Sequence, residues 1–170
     1  MRHSATRILL IALLCAPPVM ALADQRIGAG LHYWRTVDSI DDRSFDRDGV
    51  SWLITYQNSL LPLLTYQADL EIFPSTFAGS ERTVYAPQLL GIVGHWLYAG
   101  AGIGILYADN RFGDRPFYLL RAGLALPVLP RMRLDINANY HFSEWKGINR
   151  IARDIDSDVI TFGAALRLAF

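Results

Sequence analysis

Leu64-Thr65-Tyr66-Gln67-Ala68-Asp69-Leu70-Glu71-Ile72 decides the fold. Leu64, Tyr66, Ala68, Leu70 and Ile72 alternate with Thr65, Gln67, Asp69 and Glu71, so the apolar residues recur every second position rather than every 3.6. In an extended strand that period places all the apolar side chains on one face and both carboxylates on the other. A half-buried strand of a soluble protein can do this once, but rarely at this length.

The same alternation recurs on both sides. Ile27, Ala29, Leu31 and Tyr33 alternate with Gly28, Gly30, His32 and Trp34, and Val50, Trp52, Ile54 and Tyr56 continue the pattern. Downstream, Leu97, Ala99, Ala101, Ile103, Ile105 and Tyr107 oppose Tyr98, Gly100, Gly102 and Gly104, and Tyr118 to Leu126 opposes Leu119, Arg121, Gly123 and Ala125. The most regular case sets Met132, Leu134, Ile136, Ala138, Tyr140 and Phe142 against Arg133, Asp135, Asn137, Asn139 and His141. The last runs from Ile160 to Phe170, opposite Thr161, Gly163, Ala165 and Arg167. One further segment, about 83 to 93, fits poorly. Pro87 lacks a ladder donor and Leu90 and Ile92 fall on the otherwise polar face, which predicts a bulge near Pro87. With it the count is eight, an even number that lets an antiparallel sheet close with both ends of the chain at one rim.

The connections alternate in length. Residues 36–49, 74–82, 108–115 and 143–157 are long and polar, whereas 58–62, 94–95 and 127–130 are short. Membrane-spanning barrels of the outer membrane have this asymmetry, with short periplasmic turns and long outer loops. The aromatics on the apolar face fall where interfacial belts belong: Tyr33, Trp52, Tyr107, Tyr118 and Tyr140 toward the long connections, Tyr56 and Trp96 toward the short turns. The expected fold class is therefore all-β, a closed eight-stranded antiparallel transmembrane β-barrel of meander topology.

Composition narrows the classes further. The chain has 170 residues, 52% hydrophobic and 19% charged, with sixteen basic and sixteen acidic side chains and a single cysteine. There is no basic field for nucleic acid, too much apolar residue for disorder and no disulfide framework. Arg2 and Arg7, the apolar run Ile8 to Leu14 and the small residues of Ala21-Leu22-Ala23 predict a secretory signal peptide over 1–23, with the barrel domain over 24–170. No later stretch is long and apolar enough for a spanning helix. Cys15 is not a lipidation site, because Leu14 precedes it where a small residue is needed.

The leader, the alternating segments and the closing Thr161-Phe162-Gly163-Ala164-Ala165-Leu166-Arg167-Leu168-Ala169-Phe170 resemble the small eight-stranded outer-membrane barrels, the opacity-type and adhesin-type proteins. The resemblance covers essentially all of 24–170. It implies residence in a bacterial outer membrane, contact with membrane lipid and lipopolysaccharide, and an assembly signal for the barrel-assembly machinery at Phe170. It implies no single activity, because such barrels include adhesins, enzymes and proteins without a known role.

Eight strands enclose a bore that side chains fill, so a packed polar interior is expected rather than a pore. Charges there must be paired, because an isolated ion in low dielectric costs several kcal/mol. Asp69, Glu71, Arg121, Arg133, Asp135 and Arg167 are expected to form an interior ion-pair network, with the inward glycines making room for long side chains. His141-Phe142-Ser143 with Asp154, Asp156 and Asp158 downstream has the parts of a serine hydrolase, and resembles the His-x-Ser motif of the outer-membrane lipid A deacylases. That resemblance implies Ser143 as nucleophile, His141 as base and Asp156 or Asp158 as orienter. Against it, Glu144 stands where that family places an asparagine, and parity turns His141 and Ser143 inward. The reading adopted is non-enzymatic: a structural or surface-interaction protein acting through extracellular loops, with lipid A hydrolysis as the alternative. A soluble lipid-carrying barrel would want an apolar interior, which the inward charges oppose. The aspartates of Asp38 to Asp48 lack the glycine and closing glutamate of a calcium loop. Trp145, Lys146, Arg150 and Arg153 in the last long connection suit anionic headgroups. No metal or cofactor is expected.

Overall fold

A computed structural model describes residues 24–36, 48–75, 77, 82–108, 110–113, 115–142 and 159–170. The predicted leader lies outside them. The strands are β1 (Gln25–Thr36), β2 (Asp48–Leu61), β3 (Leu64–Phe73), β4 (Val84–Gly94), β5 (Leu97–Gly104), β6 (Tyr107–Ala108), β7 (Arg111–Phe112), β8 (Phe117–Leu129), β9 (Met132–Phe142) and β10 (Val159–Ala169). Eight of them are long. Each pairs antiparallel with its chain neighbour among those eight, and β1 with β10 closes the sheet into a barrel. Closure leaves no long edge strand unpaired, which is what permits a sheet to sit in hydrocarbon.

The fifth predicted segment breaks after Gly104 and resumes as β6, with Tyr107 still opposite Tyr85 in the register that sets Gln88 opposite Gly104. From there β6 and the unforeseen β7 form a small hairpin above the rim, Tyr107 facing Phe112.

The expected bulge near Pro87 is absent. The β3–β4 register runs unshifted from Leu64 opposite Val93 to Phe73 opposite Val84, with Leu70 facing Pro87. Pro87 sits in an ordinary ladder position and its carbonyl accepts from the amide of Ile105 at 3.1 Å. Leu90 and Ile92 do point into the bore, because the next strand presents Gly100 and Gly102 there. A Cβ on Gly102 would lie 2.7 Å from Leu90 Cγ, and one on Gly100 would lie 3.0 Å from Ile92 Cγ1. The register irregularities fall instead at Ser59/Leu61 and Pro127/Leu129, next to short turns. Those turns are tight. Arg131 takes φ 67° and Gly94 φ 126°, a left-handed region that glycine enters without strain.

The distribution of side chains inverts that of a soluble protein. Trp52, Leu89, Leu97 and Phe162 are exposed on the outer surface, whereas Glu71, Asp135, Arg121 and Arg167 are buried in the bore. A continuous apolar outer face around a polar interior belongs to a barrel solvated by lipid. Among the described residues no helix is long and apolar enough to cross a membrane.

Candidate functional site in the barrel bore

The bore has three levels. At the rim of the long connections Trp34, Phe73, Phe77, Val84, Ala86 and Val159 form an apolar cluster. Phe73 and Phe77 stack at 3.9 Å, and Trp34 meets Phe77 edge-on at 4.9 Å. Trp34 is fully buried, and its ring occupies the space above Gly49, where a Cβ would come within 2.8 Å. Offset and edge-on aromatic pairs add to the area they bury. The cluster is a plug across that end of the bore.

Below it lies a polar layer built from inward positions of all eight long strands. Glu71 of β3 receives Ser51 Oγ at 2.6 Å and Gln88 Nε2 at 3.0 Å, and its Oε1 lies 3.0 Å from His32 Nδ1. One pleat lower, Asp69 accepts from Arg121 NH1 at 2.6 Å, the salt bridge crossing the bore from β8. Arg121 Nε donates to Asn139, Asn139 to Asn137 at 2.9 Å and Asn137 to Asp135 at 2.7 Å. Arg167 NH1 donates to Asp135 and its NH2 to Gln67 Oε1 at 3.4 Å, while Gln67 Nε2 donates back to Asp69 at 2.8 Å. Asp69, Arg121, Asn139, Asn137, Asp135, Arg167 and Gln67 thus close a hydrogen-bonded ring inside the barrel. Tyr98 Oη adds bonds of 2.9 and 2.8 Å to the two oxygens of Asp135. Each buried carboxylate collects several donors, which is the condition for keeping a charge in low dielectric.

Inward glycines admit these side chains. A Cβ on Gly123 would lie 2.5 Å from Tyr98 Oη, one on Gly163 2.0 Å from His32 Cδ2, and one on Gly28 2.7 Å from Arg167 Cγ.

Two of the six expected network residues sit differently from the expectation. Glu71 meets no arginine. It lies one pleat closer to the long-connection rim than Asp69, where the facing groups are His32, Ser51 and Gln88. Arg133 makes no ion pair among the described residues. Asp135, two residues on along the same face, is engaged by Arg167, Tyr98 and Asn137, and Arg133 is left half-buried in a third level of the bore. That level is a cavity of about 460 Å³ at the short-turn rim, lined by Arg26, Arg133, Arg167, Tyr98, Pro62 and His95.

His141 of the hydrolase reading faces into the bore and is buried. Its ring packs edge-on against Phe117 at 5.3 Å, and its Nε2 has no hydrogen-bond partner. Ser143, Glu144, Asp154, Asp156 and Asp158 lie outside the described residues, as do the aspartates 38–46 and Trp145, Lys146, Arg150 and Arg153. On the outer face, Tyr33, Trp52 and Trp96 are exposed. Tyr33 Oη donates to Asp48 at 2.6 Å, Tyr107 contacts Tyr85 and Phe112, and Tyr118 and Tyr140 contact Phe142. Tyr56 packs on Tyr66 toward the short turns, where Phe170 stands exposed with its amide bonded to the carbonyl of Gln25.

Residue-level reading missed Ser51, Gln88 and Tyr98 as partners of the buried acids. Parity already turns all three inward. Which inward residues share a level depends on the stagger of the closed barrel, which no single strand displays.

The barrel matches the crystal structure of Neisserial surface protein A with a TM-score of 0.58 at 12% identity, over 87% of this chain and 99% of that one. The N-terminal β-barrel domain of Pseudomonas aeruginosa OprF matches with 0.54 at 8% identity over the same shares, 87% and 99%. The chain has the fold of the small eight-stranded outer-membrane barrels. Ail, the attachment invasion locus protein of Yersinia pestis, crystallised with the heparin analogue sucrose octasulfate, matches with 0.51 at 13% identity over 87% and 99%. No protein-family model and no curated protein matches the chain.

Proposed function

We propose that the protein is an integral outer-membrane barrel with a structural and surface-interaction role, exercised by the long connections that leave one rim. The carrying observation is the bore: Trp34, Phe73 and Phe77 fill one end, and the ring through Asp69, Arg121, Asp135 and Arg167 spans the middle. A bore so filled is a scaffold rather than a conduit, and on a rigid scaffold recognition falls to the loops. Two similar proteins bear names of the same sense, a surface protein and an attachment invasion locus protein. The expected partners are outer-membrane lipid and lipopolysaccharide around the aromatic belts, a ligand of the outer loops, and the barrel-assembly machinery, met through Phe170 during biogenesis. Lipid A hydrolysis is not adopted, since His141 is turned into the bore against Phe117 rather than toward lipid.

The test is protease treatment of intact cells expressing the full chain, followed by membrane fractionation. The expected result is co-purification with the outer membrane, cleavage confined to 37–47, 74–83, 109–114 or 143–158, and a protected remainder. Replacing 37–47 and 143–158 by short turns should leave the barrel in the membrane and abolish binding of the cells to immobilised lipopolysaccharide or host-surface extracts. Recovery in the soluble periplasmic fraction, or cleavage only after the cells are opened, would overturn the reading.

A further inference from the structure

The cavity at the short-turn rim has an arginine wall. Arg26, Arg133 and Arg167 come from three adjacent strands, β1, β9 and β10. Arg133 and Arg167 are direct cross-strand partners, and Arg26, opposite Ala169, is the diagonal neighbour of Arg167 on the same face. Like charges directly opposite one another on a sheet are destabilising. The local acids do not balance them. Asp24, which also lines the cavity, is committed to Arg26, Asp135 is shared by Arg167, Tyr98 and Asn137, and Arg133 has no acid among the described residues. Arg167, only 2% exposed, already gives NH1 to Asp135 and NH2 to Gln67, so the uncommitted guanidinium of this wall is that of half-buried Arg133.

We propose that this cavity is a binding site for a small oxyanion of the phosphate class, held by the guanidinium of Arg133 with Arg167 and Arg26 beside it. An anion there supplies the counter-charge that Asp24 and Asp135, committed to Arg26 and Arg167, do not give Arg133. Guanidinium also matches a tetrahedral oxyanion, because its fork donates two parallel hydrogen bonds. About 460 Å³ leaves room for the ion and several waters. Pro62 and His95 of the short turns line the same space, and the aromatic plug closes the other end, so the ion enters from the short-turn side.

The same chemistry is offered by free inorganic phosphate and by a phosphate monoester at the end of a larger molecule, and the experiment has an arm for each. The full-length barrel, folded in uncharged detergent micelles, is titrated with inorganic phosphate or with glycerol phosphate. Chloride holds the ionic strength constant, and the amide resonances flanking Arg26, Arg133 and Arg167 are followed by NMR. Saturable shifts with either anion support the site, and the arm that produces them identifies the source. Arg133→Gln should weaken binding about tenfold, the effect of one charged hydrogen-bonding group. Arg133→Lys, which keeps the charge without the fork, should weaken it less, and Arg111→Gln on the hairpin at the opposite rim should leave it unchanged. If Arg133→Gln does not fold, the contrast between Arg133→Lys and Arg111→Gln carries the test. No saturable shift with either anion, shifts that chloride reproduces in full, or equal affinity in the Arg133 and Arg111 variants would overturn the proposal.

Discussion

The two ends of the bore are built from the same inward parity and share almost no chemistry. At the long-connection rim, Trp34, Phe73, Phe77 and Val84 meet in an apolar cluster with stacked and edge-on rings. At the short-turn rim, Arg26, Arg133 and Arg167 line an open cavity. Between them lies the ring from Asp69 through Asp135 and Arg167. The contrast teaches that an inward position in a small barrel is not one environment. Near the long connections, the bore can close on itself with aromatic rings from β1, β3 and the segment after it. Near the short turns it opens into a cavity, where Arg133 has no acid partner among the described residues.

That comparison can be broken from the middle outward. Asp135→Ala should have the largest effect, roughly 3–5 kcal/mol of lost stability in equilibrium unfolding, because it strands the buried Arg167 guanidinium and the donors of Tyr98 and Asn137. Trp34→Ala should cost about 3 kcal/mol in the same measurement, the usual penalty for emptying a packed aromatic site. A loss near zero would mean that the plug is not a packed core. Gly123→Ala should cost about 1–3 kcal/mol by overpacking, since its Cβ would lie 2.5 Å from Tyr98 Oη, and Tyr98→Phe should rescue part of it. Arg133→Gln should change stability by less than about 0.5 kcal/mol, as for a side chain outside any network, and should separate the open end from the sealed one most sharply.

How much of this was legible in the residues differs by level of organisation. The alternation of Leu64 to Ile72 and of Met132 to Phe142 specified strands with one polar face, and the unequal connections specified which rims the chain turns at. Both follow from a period of two, which is a local property. Pro87 misled, because a missing donor and two inward leucine-type residues suggested a bulge where Gly100 and Gly102 on the next strand simply accept the bulk. The candidate site was legible as a set of inward charges but not as pairs. Asp69 and Arg121 lie 52 residues apart and meet across the bore, and Glu71 reaches His32 from two strands away. Those distances are set by closure and stagger, quantities of the whole sheet. His141 was legible as inward, whereas Ser143 and Asp156 lie outside the described residues.

Closure of the bore rests on a plug of Trp34, Phe73 and Phe77 above a continuous hydrogen-bonded ring. Reconstitution of the folded barrel into a planar bilayer, with current recorded in concentrated salt, tests that directly. The expected result is current indistinguishable from protein-free bilayer. Discrete, reproducible channel openings that scale with the amount of inserted barrel would contradict it.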